Sequence, residues 1–227
     1  MNRTWEDISE HIDAIPEAMC GAPQPEFLYQ LARRTRGEGA IDEIGTCAGK
    51  STIAIAFAQQ EKGGRPLVTI DIAEHPSLRA NLAGAGVEAW VDARIMRSTD
   101  AAKGWSEPVE MLWIDGDHAT LAIMADIDAW SPHVMVGGIM AFHDYPGVMK
   151  SMQTWNALYR KVFANPYEWR VIADREAGSI IAFERLQPPP ERDLKERAKQ
   201  QVRWARTNWR FVKKEAKAMA KRFGSGS

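Results

Sequence analysis

Apolar and polar positions alternate in blocks along most of this 227-residue chain. Strand-length segments dominated by apolar residues occupy 40–44, 67–72, 87–91, 109–114 and 134–142. Between them, apolar residues spaced three and four apart predict helices at 50–61, 76–83, 118–130 and 148–163. Two further helical patterns, Thr4 to Ile12 and Pro25 to Arg34, precede the first strand. Pro25 suits a first helical turn, where its missing N–H costs nothing. Strands at 168–173 and 179–185 close the series. Ala177-Gly178 joins them, a connection short enough to demand an antiparallel pair. Strand–helix alternation of this kind predicts an α/β fold, with a doubly wound, mostly parallel sheet and an antiparallel edge hairpin.

The pattern changes at Gln187-Pro188-Pro189-Pro190, a stiff stretch that continues neither strand nor helix. Beyond it, Ala198, Val202, Ala205, Trp209, Val212 and Ala216 recur at alternating spacings of four and three, a heptad stripe on a helix from about 191 to 223. The predicted organisation is an N-terminal helical segment (1–37), a main domain (38–187), a proline hinge with a basic amphipathic helix (188–223) and a flexible terminus (224–227).

Charge sharpens that division. The net charge of −1 conceals two opposite halves. Residues 191–223 carry twelve Lys and Arg against four Asp and Glu, so the remainder of the chain is strongly acidic. A basic helix bearing Trp and Phe suits an anionic membrane surface, a subunit contact in a homo-oligomer, or its own acidic domain. No recognition motif points to nucleic acid. No apolar run reaches the roughly 20 residues of a membrane span, and the polar start MNRTWEDISEHID is unlike a secretory signal. Cys20 and Cys47 cannot frame a disulfide scaffold, so the expected location is cytoplasmic, with a peripheral position at the inner membrane face if the tail binds lipid.

Candidate chemistry begins where the first strand runs into Gly45-Thr46-Cys47-Ala48-Gly49. Glycine tolerates positive φ and lets a ligand approach the backbone. The helix starting near Ser51 offers unpaired N–H groups. The turn lacks the G-x-G-x-x-G of dinucleotide folds. It mimics a phosphate loop through Gly49-Lys50-Ser51, but has three residues between its glycines where that loop has four. Asp71 closes the next strand, where an acid can accept both hydroxyls of a ribose or simply cap a turn.

With Glu43 ahead of Gly45, the segment resembles the E/D-x-G-x-x-x-G turn of class I S-adenosylmethionine-dependent methyltransferases. The likeness covers about residues 38–185. Its most specific stretch is IDGDHATLAIMADIDAWSPHVMVGGIMAFHDY (114–145), similar to the macrocin-type sugar O-methyltransferases and the cephalosporin-hydroxylase-like proteins. The resemblance implies a Rossmann-like sheet of seven strands with the last reversed, and S-adenosylmethionine as cofactor. Glu43, Gly45 and Gly49 would line its methionine side, together with Thr46 and Ser51 of the same turn. Asp71 would hold the ribose, Ser98 the adenine, and Asp115 would adjoin the donor from the neighbouring strand.

Asp115 and Asp144 end two apolar strands expected to be neighbours, so their carboxylates can converge. Oxygen ligands with open positions suit Mg²⁺. His143 beside Asp144 departs from the all-acid set of metal-dependent sugar methyltransferases, and imidazole favours Mn²⁺, Fe²⁺ or Zn²⁺. The expected metal set is Asp115, His143 and Asp144. His143 could equally be a base or a structural residue. Asp117 matches the position of the base in the macrocin-like relatives, or caps the following helix. His118 is a second base, or a histidine that fixes a loop. Asp126 and Asp128 read as a solvated helix face.

The expectation is a methyltransferase acting on a sugar hydroxyl of a glycan, glycolipid or glycosylated metabolite, with metal-assisted deprotonation. A phosphate-loop NTPase and a non-catalytic nucleotide-binding adaptor at a membrane are the alternatives.

Overall fold

A computed structural model describes residues 3–16, 21–145 and 151–187. The predicted tail helix, its membrane or subunit contacts and Cys20 lie outside the described residues. Seven strands form one sheet: β1 (Ala40–Ile44), β2 (Leu67–Asp71), β3 (Val91–Ile95), β4 (Val109–Ile114), β5 (Val134–Phe142), β6 (Trp169–Asp174) and β7 (Ile181–Arg185). Their order is β3-β2-β1-β4-β5-β7-β6. All pairings are parallel except β5–β7 and β6–β7. The chain winds outward from β1 to β3, then returns to start β4 on the other side of β1. A crevice therefore opens beyond the C-terminal ends of β1 and β4, where doubly wound sheets bind ligands.

Both faces of the sheet are covered. Helices α1 (Trp5–Asp13), α2 (Gln24–Arg33), α3 (Lys50–Lys62) and α4 (Leu78–Ala85) share one core with Ile41, Met111 and Trp113. Helices α5 (Ser98–Lys103), α6 (Thr120–Trp130) and α7 (Ser151–Leu158) cover the other face, against Ile44, Leu112 and Ile114. That double covering is why β4 is apolar apart from Glu110 and is buried along its whole length. Local chemistry sets the ends of these elements. Thr4 and Asp7 form a reciprocal capping box at the start of α1. Glu110 leaves β4 to accept the backbone N–H groups of Arg36, Gly37 and Glu38, tying the α2–β1 loop to the sheet.

Three elements differ from expectation. The strand predicted at 87–91 is a 3₁₀ turn, Glu88–Trp90, and β3 begins only at Val91. Val87 is fully buried beneath α4, so its apolar character serves the helix layer and not the sheet. Edge strand β3, VDARI, alternates apolar and charged residues and is half-exposed, so it forms no continuous apolar run. Helix α5 was not predicted, being too short to show a period. The helix predicted over 148–163 is described as α7 followed by a π turn, Tyr159–Phe163.

Candidate active site

The glycine turn is built backbone against backbone. Gly45 has φ +94°, and a Cβ there would stand 2.3 Å from the carbonyl oxygen of Asp115. No L side chain fits, so the end of β1 and the end of β4 share one wall. The N–H groups of Gly45 and Asp115 donate to Ile70 and Ile44 carbonyls at 2.9 and 2.8 Å. Gly49, at φ +92°, is the N-cap of α3. The Asp71 carboxylate grips the turn from β2: its Oδ2 accepts the N–H groups of Thr46 and Cys47 at 2.9 and 3.2 Å.

Glu43, expected beside the methionine part of the donor, is corrected by the structure. Its carboxylate is fully buried beneath the turn and does not line the crevice. Ser51, Thr52 and Thr69 donate hydroxyls to it at 2.5, 2.6 and 2.7 Å. Burial pushes its pKa up to about 7, against the pull of those three hydroxyls. Glu43 is thus the pillar that fastens the start of α3 to β1 and β2. Ser51 and Thr52 spend their hydroxyls on it, which removes the hydroxyl that a phosphate loop would present to a nucleotide's Mg²⁺.

The crevice encloses about 650 Å³, with Gly45, Gly49, Asp71, Ser98, Asp115 and His118 on its walls. Thr46, Ser51 and Asp117 also border it. On the side away from Gly45, the Ser98 hydroxyl donates to Asp126. Asp126 was expected in solvent, but it is buried and lines the crevice, and burial raises its pKa. The helical period held a warning: Asp126 lies three residues after Ile123 and four before Trp130, both buried. Asp128 is exposed and pairs with Lys161. Lys50 and Arg97 also reach the crevice, and neither was singled out from sequence.

The ends of β4 and β5 bring four predicted residues together. His143 Nδ1 lies 3.0 Å from Asp115 Oδ1 and 3.4 Å from Asp144 Oδ1. His118 Nδ1 lies 3.6 Å from Asp144 Oδ2. The strand has ended at Phe142, and Asp144 adopts φ +56°, so His143 and Asp144 escape the alternation that would send them to opposite faces. Burial alone would lower the pKa of His143, but the hydrogen bond and charge of Asp115 and the charge of Asp144 outweigh it and raise it. Burial raises the pKa of Asp115, partly offset by His143. Asp117 is exposed, and its Oδ1 accepts the N–H of Ala119 at 2.9 Å, ahead of α6.

Residues 43–145 match the family model described as a methyltransferase domain. That stretch, a little under half of the chain, is similar to methyltransferase domains. Solved structures share the fold. A protein from Corynebacterium glutamicum superposes with TM-score 0.64 at 18% identity, over 83% of this chain and 94% of that one. The O-methyltransferase TomG of Streptomyces achromogenes, involved in tomaymycin synthesis and solved with SAM, gives 0.59 at 20%, over 82% and 91%. An O-methyltransferase from Bacillus cereus in complex with SAH gives 0.57 at 19%, over 82% and 93%.

The site fits a small-molecule ligand better than it fits a metal. The crevice has the volume of a small-molecule site, a wall without side chains at Gly45 and an acid at Asp71. The expected metal set of Asp115, His143 and Asp144 is differently employed. His143 turns Nδ1 onto both carboxylates and Nε2 onto Gln24 Oε1, 3.1 Å away, so neither ring nitrogen points to an open position. Among the described residues no group of three or more His, Cys, Asp or Glu is disposed to hold a metal ion. No helix of the described residues is long and apolar enough to cross a membrane.

Proposed function

We propose that the protein is an O-methyltransferase in which His118 takes the proton from an acceptor hydroxyl and Asp144 orients His118. The observation that carries this reading is the His118–Asp144 pair at the wall of the crevice, beside Asp115 and the glycine turn. A base held by a second group is the arrangement that proton abstraction requires. His118 turns Nδ1 toward Asp144 and borders the crevice.

S-adenosylmethionine supplies an electrophilic methyl group when bound. Gly45 and Gly49 leave room for it against the backbone, Asp71 offers its second carboxylate oxygen to the ribose, and Ser98 with Asp126 bounds the far end. His118 accepts the hydroxyl proton as the oxygen takes the methyl, leaving a methyl ether and S-adenosylhomocysteine. Positioning contributes most of the acceleration. Asp115 is committed to His143 and to the wall it shares with Gly45, so it shapes the site without transferring a proton. Asp117 holds the turn before α6.

The acceptor class, a sugar hydroxyl of a glycan, glycolipid or glycosylated metabolite, is supported by the likeness of 114–145 to the macrocin type. The charge of 191–223 supports recruitment to an anionic membrane. The deciding experiment measures SAH binding by calorimetry and methyl transfer to a panel of glycosides, in chelator. His118→Ala should keep SAH affinity and lose turnover by about 10²–10⁴, the span of a positioned base. Undiminished turnover in His118→Ala would refute the assignment.

A further inference from the structure

We propose that Gln24, in the first turn of α2, is a positioning residue for the acceptor side of this site. It fixes the ring of His143 and, through it, the carboxylates of Asp115 and Asp144. The inference rests on the reading of His118 and Asp144 as the deprotonating pair.

Gln24 is separated from His143 by 119 positions in sequence, yet its Oε1 lies 3.1 Å from His143 Nε2. The other end of the amide is committed, since Nε2 donates to Ser179 Oγ at 2.9 Å. The acceptor end therefore faces the ring, and His143 donates through Nε2. That leaves Nδ1 to Asp115 and Asp144. Trp113 packs edge-on against the ring, with centroids 5.9 Å apart. The imidazole is held on both nitrogens and one face.

The brace extends to the backbone. The N–H of Tyr145 donates to the Ser179 carbonyl at 2.7 Å, so the β6–β7 connection grips the 143–145 segment directly and again through Gln24. Gly178, at φ +70°, passes close over the amide: a Cβ there would meet Gln24 Nε2 at 3.2 Å. Between these anchors sits Asp144 at φ +56°, a left-handed conformation that aspartate tolerates better than most side chains. The same conformation aims Asp144 Oδ2 at His118. Gln24 is buried and does not line the crevice, so it acts through His143 and not on substrate. A residue that merely filled space here would not need an amide, because a buried amide without partners is costly.

The test uses full-length protein saturated with S-adenosylhomocysteine and labelled with ¹⁵N-histidine. Long-range ¹H–¹⁵N spectra report the protonation of each ring nitrogen. Gln24→Met keeps length and removes both hydrogen bonds. It should shift both ring nitrogens of His143 and move His118, while SAH affinity stays within about twofold, as for a distant, uncoupled site. Gln24→Glu restores the acceptor and should return both histidines toward their wild-type positions. Two results would overturn the proposal. One is superposable histidine spectra for wild type and Gln24→Met. The other is a spectral change that accompanies a loss of SAH affinity of about tenfold or more and a lower melting temperature, neither recovered in Gln24→Glu. The spectra need no methyl acceptor, so they stand apart from the turnover measurements on which the His118 assignment depends.

Discussion

Asp42 offers the sharpest quantitative test of the fold. It sits in the middle of β1, paired in register with Val68 and Leu112, and is completely buried with no hydrogen-bond partner on either carboxyl oxygen. Burial raises its pKa from 3.8 to about 8, with Arg94 pulling weakly the other way. The folded protein therefore holds this carboxyl protonated at neutral pH, whereas the unfolded chain ionises it. Folding must take up a proton, so the group favours the folded state fully below pH 3.8 and loses that advantage as pH rises through about 8. At about 1.4 kcal/mol per pH unit, ionisation of the unfolded chain costs up to about 4 kcal/mol at pH 7. Asp42→Asn is nearly isosteric with the protonated acid and does not titrate. Urea unfolding of both proteins at several pH values from 4 to 9 measures the difference. The variant's relative stability should rise with pH from 4 toward 8 and then level off. A difference that does not change with pH would refute the buried, protonated carboxyl.

Other outcomes follow from the site. Gly45→Ala should abolish SAH binding in calorimetry, because its Cβ collides with the Asp115 carbonyl oxygen; the forced backbone conformation should also cost about 1–3 kcal/mol in an unfolding titration. Asp144→Asn should lower turnover while SAH still binds, since it removes the charge beside His118. Asp71→Ala should weaken SAH by about 1.5–3 kcal/mol, the scale of a charged hydrogen bond, and loosen the turn it grips. Deleting residues 188–227 should leave SAH affinity intact and reduce sedimentation with anionic vesicles, most visibly at low salt. Loss of oligomeric state without any effect on vesicle binding would assign the tail to a subunit contact.

What was legible in the sequence was what steric necessity leaves only one way to satisfy. Gly45 and Gly49 could be placed in a turn because each occupies positive φ, and β4 announced itself because both its faces are covered. Positions whose role depends on direction were harder. Glu43 carries the right residue type for a ligand contact but points into the interior, and alternation along a strand buried on both sides does not say which layer an acid meets. Asp126 looks like part of a solvated helix face by residue type, while the helical phase sets it among the buried Ile123, Ile127 and Trp130. Gln24 carried no local signal, since its partner comes from the far end of the sheet and only the folded topology brings them together. The metal expectation finds no support in the geometry for a related reason: the residue types at 115, 143 and 144 suit a cation, while in the fold they face one another, and the ring of His143 also meets an amide more than a hundred positions away.

The contact between Gly45 and the Asp115 carbonyl has an evolutionary consequence. Because the two halves of the catalytic floor touch through main-chain atoms, their spacing is insulated from most side-chain drift. Descendants of this chain can change what they methylate without re-tuning how the methyl is delivered. Variation should accordingly collect on the rim that faces outward, from Asp117 to Leu121, whose last side chain is 77% exposed. The floor beneath it works as a fixed jig, and new acceptors are a matter of refitting the clamp.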